Sequence, residues 1–222
     1  MNKLNHIAFI MDGNGRWGKR RGRNRKFGHI NGVKTVQKIV KSAIKLKIPF
    51  VTFYVFSTEN WKRPKSEIDF LFKLIISYFK EELDRVISNG IKINIIGKIS
   101  RLPAKVKFAL RDVVKKTKKN KKIIVNLAIN YGSRDEIVEA CKKINNKINI
   151  RSLSKNLYTK NLSNPDILIR TGGHKRLSNF MLWQLAYTEI YFIDKLWPDF
   201  NGRDFERIIN NFKKVKRNFG SI

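Results

Sequence analysis

Cysteine is almost absent from this sequence of 222 residues, in which Cys141 is the only one. A single cysteine excludes an internal disulfide and is typical of a reducing compartment. The chain also lacks any apolar run near the roughly 18 residues that a membrane-spanning helix needs. The apolar run at residues 7–11 is too short for the core of a signal peptide. We therefore expect a soluble, cytoplasmic protein.

Acidic residues are also few: the sequence has 17 Asp and Glu and 48 Lys and Arg, which gives a net charge of +31. Such an excess is typical of proteins that bind nucleic acid or an anionic membrane surface. The lysines are spread over every segment together with many Asn and Ile, which predicts that most of the charge is solvated surface. Arginines are concentrated in two stretches, residues 16–25 and 170–176. These two stretches are the candidate binding patches.

The apolar segments alternate between strand and helix patterns, and 42% hydrophobic residues are enough for a folded core. Strands are predicted at residues 7–11, 50–56, 91–96, 123–129, 166–169 and 189–193. Helix-start signals lie at Ser66 and at the capping box of Ser133 with Glu136, and Asn89-Gly90 ends a long helix. Helical crossovers between strands favour parallel pairing. We predict an α/β fold in which residues 1–222 form a single domain, with a six-stranded, mostly parallel sheet flanked by helices.

Three further segments complete this prediction. A lysine-rich helix is expected from Pro103 to about Asn120, and a terminal helix over residues 204–215. Residues 144–163 are polar and weakly patterned, which predicts a loop with one short helix.

Residues 6–29 contain the most distinctive local pattern. The first strand is followed by Asp12-Gly13-Asn14-Gly15, and seven of the eleven residues from Arg16 to Lys26 are Lys or Arg. Glycines let backbone N–H groups approach phosphate oxygens, arginines pair with those oxygens, and a carboxylate binds a divalent cation. The pattern therefore suits a metal-bound phosphate. An ordinary turn followed by a solvated basic arm fits these residues as well.

Polar segments follow four of the predicted strands, at residues 12–17, 57–64, 130–134 and 170–173. In parallel sheets, ligands bind beyond the carboxyl ends of the strands. We therefore expect these four segments to meet at one edge of the sheet.

Four stretches of the sequence resemble the cis-prenyltransferases, most closely the bacterial undecaprenyl diphosphate synthases: HIAFIMDGNGRW, YVFSTENWKRP, INYGSRDEI, and ILIRTGG with the following RLSNFMLWQLAYTEIYFIDKLWPDF. The resemblance runs in order over nearly the whole chain. It implies stepwise condensation of isopentenyl diphosphate onto farnesyl diphosphate, with Mg²⁺ and with new double bonds in cis. The expected product is a long polyprenyl diphosphate of the undecaprenyl type, which serves as a cell-wall lipid carrier. The resemblance also implies a homodimer, and the basic net charge makes peripheral contact with an anionic membrane a further expectation.

The resemblance also implies roles for individual residues. Asp12 matches an essential metal-linked aspartate, and Glu189 a second metal-associated carboxylate. Asn60 matches a proposed catalytic proton acceptor. The residues implied in the allylic substrate site are Gly13, Asn14, Gly15, Arg16, Trp17, Arg25, His29, Ser57, Thr58, Glu59, Trp61 and Arg63. The residues implied in the isopentenyl diphosphate site are Arg170, Arg176 and Ser178.

Some of these assignments remain open. A neutral amide is a weak base, so two roles stand for Asn60: it accepts the proton, or it orients the substrate while a phosphate oxygen does so. His174 stands where the family usually has an acidic residue after Thr-Gly-Gly, and Lys175 follows it. The walls expected for a product tunnel, which a packed core would explain equally well, are Val33, Ile39, Phe53, Val55, Phe70, Leu74 and Tyr78.

The rival function from another class is a basic RNA-binding protein that uses residues 16–26 as an arginine-rich arm. Carboxylates at strand ends, such as Asp12, Glu59 and Glu189, do not help an arm to bind RNA. A metal–diphosphate site, in contrast, uses carboxylates to bind the metal ion. We therefore expect no nucleic-acid partner.

Overall fold

The computed structural model describes residues 2–145 and 147–217. Within them the chain forms one sheet of six strands in the order β3-β4-β2-β1-β5-β6. The strands are β1 His6–Ile10, β2 Phe50–Ser57, β3 Ile91–Ile96, β4 Ile123–Tyr131, β5 Ile167–Arg170 and β6 Glu189–Phe192. All five pairings between neighbours are parallel. The predicted α/β class with helices around a mostly parallel sheet is therefore confirmed.

Helices lie in every crossover except the one from β5 to β6, and a further helix follows β6. They are α1 Asn14–Arg20, α2 Arg25–Lys45, α3 Lys65–Ser88, α4 Ala104–Lys116, α5 Ser133–Cys141, α6 Ile150–Asn156 and α7 Gly202–Lys214. Short 3-10 helices cover Thr58–Lys62, Ile99–Arg101 and Trp197–Asp199. No helix of the described residues is both long enough and apolar enough to cross a membrane.

The two faces of the sheet bury different sets of side chains, because successive residues of a strand point to opposite faces. In β1, Ile7 and Phe9 belong to the large core that α2, α3, α4 and α7 cover. Ala8 and Ile10 belong to a smaller core on the other face, which Phe180 completes. A third apolar cluster lies between α5 and α6. Both faces of the sheet are therefore covered, which leaves the strand ends as the place for polar chemistry.

Several element boundaries differ from the sequence prediction. The fourth strand continues to Tyr131, and α3 begins at Lys65 after Pro64. The capping box predicted for Ser133 and Glu136 is wrong, although α5 does begin at Ser133. Glu136 is buried and accepts hydrogen bonds from Tyr131 Oη at 2.6 Å and Tyr158 N at 2.8 Å. The carboxylate of Glu136 is thus satisfied by donors outside α5, as buried polar groups generally are, and does not reach back to the N-terminus of its own helix.

The largest local difference is α1. The Gly-rich segment after Asp12 is predicted as a phosphate-binding loop, but residues 14–20 form a helix. Gly13 precedes it at φ 108°, a conformation that favours glycine, and a Cβ there would lie 2.8 Å from Leu196 Cδ2. The lysine-rich helix α4 is also shorter than predicted and ends at Lys116.

A row of buried polar side chains crosses the middle of the sheet. His6 Nε2 lies 2.6 Å from Thr52 Oγ1, which accepts a hydrogen bond from Asn126 Nδ2 at 3.0 Å. Asn94 donates to Asn126 Oδ1 at 2.9 Å. Burial lowers the pKa of His6 from 6.5 to about 4, against the opposing effects of the Ser163 carbonyl and Asp166. His6 is therefore neutral in the folded protein at pH 7.

This histidine makes stability depend on mild acid. Because the folded pKa is lower than the unfolded value, the unfolded chain takes up a proton first as the pH falls. The contribution of His6 to stability is therefore lost between pH 6.5 and about 4. By pH 5 the loss in the free energy of unfolding is about 2 kcal/mol. Urea unfolding of the wild type and of His6→Gln at pH 7 and pH 5 measures this. We expect the wild type to lose about 2 kcal/mol more than the variant between the two pH values, and an equal loss would contradict the assignment.

Candidate active site

The polar segments that follow β1, β2, β4 and β5 meet at the carboxyl edge of the sheet. Arg170 at the end of β5 reaches Asp12 after β1, since Ile10 pairs with Arg170 in the sheet register. Trp61, after β2, donates from Nε1 to Asn130 Oδ1 in β4 at 2.7 Å. These four strands are neighbours in the sheet, which is why segments distant in sequence form one surface.

Asp12 lies at the centre of a cationic cluster at this edge. Its Oδ2 accepts a hydrogen bond from Arg170 Nη2 at 2.9 Å and lies 2.8 Å from His174 Nδ1. Its Oδ1 accepts from Arg16 Nη2 at 3.2 Å. Burial raises the pKa of Asp12, but the hydrogen bonds from His174 and Arg170 and the charge of Arg16 outweigh it and bring the pKa below its usual value. Asp12 is therefore ionised at neutral pH.

The donor set around Asp12 decides what kind of cation fits there. Among the described residues, no group of three His, Cys, Asp or Glu is close enough together to hold a metal ion. Mg²⁺ in proteins is commonly bound by one or two carboxylates together with substrate phosphates and water. The ionised Asp12 therefore fits a Mg²⁺ ion that shares its coordination with a diphosphate.

Glu189 does not join this cluster within one chain. It is the first residue of β6 and pairs with Ile167, so it lies at the edge of the sheet where the strands begin. With about 3.3 Å per residue, Glu189 and Asp12 are separated by roughly 15 Å along the strands. The Glu189 carboxylate lies 3.8 Å from Arg217 Nε. Glu189 and Asp12 therefore do not meet in one metal site within a single chain, because parallel register places the two at opposite edges. The metal-associated role that the resemblance implies for Glu189 stays a prediction.

A second charged cluster surrounds Glu67 in the first turns of α3. Arg25 donates from Nε at 2.9 Å and from Nη2 at 3.1 Å to its two oxygens, and Arg63 donates from Nη1 at 3.1 Å. His29 Nε2 lies 3.4 Å from Glu67 Oε1. Burial raises the pKa of Glu67, but the contacts with Arg25 and Arg63 outweigh it and lower the pKa overall. One buried carboxylate thus binds Arg25 and Arg63 and lies beside His29, three side chains that the resemblance assigns to the allylic substrate site.

Several buried polar atoms of the site make no hydrogen bond within the described part of the chain. They are Asn14 Oδ1, His29 Nε2 and Arg170 Nε. Burial lowers the pKa of His29, so its imidazole is neutral at pH 7. Buried polar atoms are rarely left without partners in folded proteins. Their concentration at this edge indicates a surface built for a polar ligand.

Arg170 organises the third part of the site. Its side chain is 3% exposed, and besides Asp12 it donates to Ser178 Oγ at 2.8 Å and to the Arg176 carbonyl. Ser178 has a φ of 51°, in the left-handed region. The structure thus brings Arg170 and Ser178 into contact, while the side chain of Arg176 is exposed.

The segment after β2 is held mainly by hydrogen bonds within the protein. Asn60 accepts from Ser57 N at 3.2 Å as part of a capping box of the 3-10 helix Thr58–Lys62. Thr58 Oγ1 donates to Asp135 Oδ2 at 3.3 Å, and Glu59 accepts from Asn179 Nδ2 at 2.8 Å. The Asn60 amide therefore has a structural partner, which favours an orienting role over proton acceptance.

The two tryptophans assigned to the allylic substrate have different surroundings. Trp61 is 39% exposed and packs against Phe56 and Phe72. Trp17 stacks on Phe27, donates to Asp199 Oδ1 at 2.7 Å, and has the Arg21 guanidinium 3.9 Å from its ring centroid. Trp17 therefore lies in an outer aromatic–cation layer on α1, and it is not among the residues that line the cavity described next.

An apolar cavity of about 180 Å³ begins beside Asn14 and His29 and continues between α2, α3 and the sheet. Its far end is bordered by Asn89 and Ile91, at the edge where the strands begin. Seven residues are predicted as tunnel walls, and four of them line the cavity: Val33, Val55, Leu74 and Tyr78. Ile39 and Phe53 are fully buried in the core instead. Phe70 packs near Lys26.

Sequence reasoning misses Glu67 and undervalues His174. Glu67 pairs with Arg63, which stands four residues earlier but lies before the start of α3, so the helical spacing rule for ion pairs does not predict this contact. Its contacts with Arg25 and His29 depend on helix packing and have no local signal. His174 is noted as a departure from the family pattern, but only the fold shows that it touches Asp12.

Residues 10–220 match the family model described as putative undecaprenyl diphosphate synthase. An isoprenyl transferase from Clostridium perfringens is 45% identical over 227 residues, which cover 98% of this chain and 90% of that protein. An isoprenyl transferase from Treponema denticola is 46% identical over 223 residues, covering 99% of this chain and 98% of that protein.

Two solved structures share the fold over nearly their full lengths. A lavandulyl diphosphate synthase from Lavandula x intermedia, in complex with dimethylallyl diphosphate, has a TM-score of 0.94 and 34% identity, with 98% of both chains covered. A probable undecaprenyl diphosphate synthase from Campylobacter jejuni has a TM-score of 0.86 and 41% identity, with both chains fully covered.

The Glu67 cluster predicts a charge-dependent loss of stability. Glu67→Gln keeps the shape but removes the charge that Arg25 and Arg63 share, and we expect the free energy of unfolding at pH 7 to fall by about 1–2 kcal/mol. Because the folded pKa of Glu67 is lowered, its contribution is present above the unfolded pKa and is lost as the pH falls through the folded pKa. The difference between wild type and variant should therefore shrink in acid.

Urea unfolding at several pH values provides the measurement. Glu81→Gln is the matched control, since Glu81 is an exposed residue of the same helix and makes no ion pair among the described residues. Equal stability of the two variants at pH 7 would show that the cluster contributes nothing.

Proposed function

The chain belongs to the prenyltransferase family of putative undecaprenyl diphosphate synthases, the isoprenyl transferases, and on this basis we propose that it is a Mg²⁺-dependent cis-prenyl transferase. The proposed reaction adds isopentenyl diphosphate units to farnesyl diphosphate and gives a long polyprenyl diphosphate of the undecaprenyl type. The product would serve as a lipid carrier for cell-wall synthesis, and we place the enzyme in the cytoplasm.

The observation that carries the proposal is the position of the cationic clusters at the mouth of an apolar cavity. Both substrates combine a negatively charged diphosphate headgroup with a hydrocarbon part. The Asp12 and Glu67 clusters supply guanidinium groups at the carboxyl edge, and the cavity runs from there toward the opposite edge. Arginine pairs with phosphate oxygens through several hydrogen bonds at once, whereas hydrocarbon is stabilised by leaving water. The site thus matches both ends of a prenyl diphosphate.

The chemistry assigns a task to each cluster. The bond between C1 and oxygen of the allylic substrate breaks, and its electron pair leaves with the diphosphate, which Arg25, Arg63 and His29 are positioned to hold. The double bond of isopentenyl diphosphate supplies the electrons of the new carbon–carbon bond, and a proton then leaves its C2 atom. Arg170 and Ser178 would hold this second diphosphate. Mg²⁺ bound at Asp12 would neutralise part of the charge of the phosphates.

A diphosphate oxygen is the proton acceptor that the geometry favours. The Asn60 oxygen already accepts the Ser57 N–H group, and a neutral amide is a poor base. Asn60 is therefore assigned the role of holding the segment between Ser57 and Trp61 against the substrate.

The solved structures of similar proteins differ in their named products. The structure from Lavandula shows that the same fold carries a synthase with a different named product. The argument for a long product here is the cavity, which extends along α3 from Leu71 to Asn89, a span of about 27 Å.

A homodimer through the β6 edge is part of the proposal. β6 is an outermost strand, and Ile190 and Phe192 on it are 39% and 37% exposed. An edge strand with exposed apolar side chains is commonly covered by a second chain.

Residues 16–26 do not form the extended arm that an RNA-binding protein would use. Residues 16–20 belong to α1, residues 21–24 connect it to α2, and Arg25 in the first turn of α2 is paired with Glu67. This arrangement favours the transferase over the RNA-binding alternative.

The decisive experiment is a condensation assay with radiolabelled isopentenyl diphosphate and farnesyl diphosphate. We expect wild-type activity that EDTA abolishes and Mg²⁺ restores, and at least about a hundredfold less activity for Asp12→Ala. Because Asp12→Ala leaves the buried Arg170 without its carboxylate, Asp12→Asn is included as a variant of the same shape. Circular dichroism checks that both are folded. Normal turnover by a folded Asp12 variant would overturn the metal-centred mechanism.

The two phosphate regions predict opposite effects on the two substrates. Arg170→Ala and Arg176→Ala should raise KM for isopentenyl diphosphate more than for the allylic substrate, and Arg25→Ala should do the reverse. Loss of a charge-assisted contact of about 1.5–3 kcal/mol corresponds to roughly ten- to a hundredfold in affinity. Initial-rate kinetics with each substrate varied in turn tests this. Equal effects of the three substitutions on both substrates would refute separate sites.

A further inference from the structure

Exposed side chains border the far end of the cavity, which places this end at the surface of the chain. The cavity lining there includes Lys41 and Arg85, both exposed, together with Asn89 and Ile91. We call this place the distal opening. It lies at the edge of the sheet where the strands begin, opposite the cationic clusters. If the chain elongates a prenyl diphosphate, as proposed above, the hydrocarbon end of the product grows toward this opening.

An unusual segment packs beside the distal opening. Residues 115–122 read KKTKKNKK, with six lysines in eight positions and no acidic residue, and we call them the lysine loop. Lys122 N donates to the Gly90 carbonyl at 3.0 Å, and Asn120 Nδ2 donates to the Ile91 carbonyl at 2.8 Å. The loop is therefore fixed against the residues that border the opening.

The charge on this loop is largely uncompensated. All six lysines are exposed, and Lys116 pairs with Asp112 at 2.8 Å. The other five make no ion pair within the part of the chain that the structure describes. Lys45 and Lys47 follow on the same edge, since they precede Phe50, which pairs with Ile124 of β4.

Neighbouring acids do not cancel this charge. Glu82 borders the cavity but pairs with Arg85 at 3.5 Å, and the exposed Glu81 and Asp84 lie on the last turns of α3. Ile87, 37% exposed, adds an apolar side chain between α3 and the lysine loop. A basic surface with an apolar component, next to an opening from which hydrocarbon would emerge, fits an anionic bilayer.

We propose that the lysine loop and the distal opening together form a docking surface for anionic lipid membranes, through which the polyprenyl chain passes directly into the bilayer. Lysine Nζ atoms bind the lipid phosphates, and the cavity end faces the hydrocarbon. This inference rests on the proposed function for the origin of the hydrocarbon chain, but the membrane contact itself is carried by the lysine loop.

The test compares two variants with the same change in charge. The loop variant carries Lys118→Gln, Lys119→Gln, Lys121→Gln and Lys122→Gln. The control variant carries Lys142→Gln, Lys143→Gln, Lys155→Gln and Lys160→Gln, at exposed positions in and after α5 and α6, which pack in a separate apolar cluster. Binding is measured by cosedimentation with vesicles of equal parts phosphatidylglycerol and phosphatidylcholine, and with vesicles of phosphatidylcholine alone. Condensation is measured in detergent solution.

A lysine near an anionic surface contributes roughly fivefold to partitioning, which corresponds to about 1 kcal/mol. We expect the wild type to bind only the phosphatidylglycerol vesicles, the loop variant to bind them at least about tenfold more weakly, and the control variant to remain within about twofold of the wild type. Detergent activity should be the same in all three proteins, because the loop lies far from the phosphate clusters.

Three results would overturn the inference. The first is an equal loss of vesicle binding in both variants, and the second is no preference of the wild type for anionic vesicles. The third is binding of an RNA oligonucleotide that the loop substitutions weaken more than they weaken vesicle binding. Loop-dependent vesicle binding by a wild type that fails to condense the two diphosphates would overturn the proposed function and leave the docking surface standing. Intact condensation without loop-dependent vesicle binding would overturn the docking surface and leave the proposed function standing.

Discussion

The contact between Asp12 and Arg170 is the interaction on which the candidate site depends. Arg170 is almost completely buried, and its guanidinium is held by Asp12, Ser178 and the Arg176 carbonyl. A buried cation without its carboxylate partner strongly destabilises the folded state, so the ion pair fixes the ends of β1 and β5 next to each other. The same carboxylate also faces Arg16 and His174, which joins α1 and the segment after β5 to one point.

The Glu67 cluster extends the same principle to the other side of the site. Here one carboxylate from α3 takes hydrogen bonds from Arg25 and Arg63 and has the neutral imidazole of His29 beside it. In both clusters the cations outnumber the carboxylates. A bound anion would therefore neutralise positive charge that the carboxylates of the protein leave uncompensated. The apolar cavity starts between these clusters, and the lysine loop lies at its other end. The molecule thus has a charged surface at each end of one apolar path.

The sequence alone predicted the order of strands and helices, because a change of hydrophobic period from two to about 3.6 is a local signal. It also predicted that the segments containing Asp12, Trp61, Asn130 and Arg170 meet at one edge, which follows from parallel pairing. It could not predict that residues 14–20 form a helix, since Gly15 and Gly18 lower helix propensity and only packing against α2 compensates. The separation of Glu189 from Asp12 likewise depends on the register of β6, which a sequence pattern does not fix.

The central claim is that one prenyl diphosphate occupies the clusters and the cavity together. A crystal structure with Mg²⁺, isopentenyl diphosphate and a non-reactive thiodiphosphate analogue of the farnesyl substrate tests it most directly. We predict that the allylic headgroup contacts Arg25, Arg63 and Asp12-bound Mg²⁺, that the second diphosphate contacts Arg170 and Ser178, and that the farnesyl chain lies between α2 and α3 beside Val33 and Leu74. A farnesyl chain outside this cavity, or both diphosphates bound away from Asp12, would contradict the account.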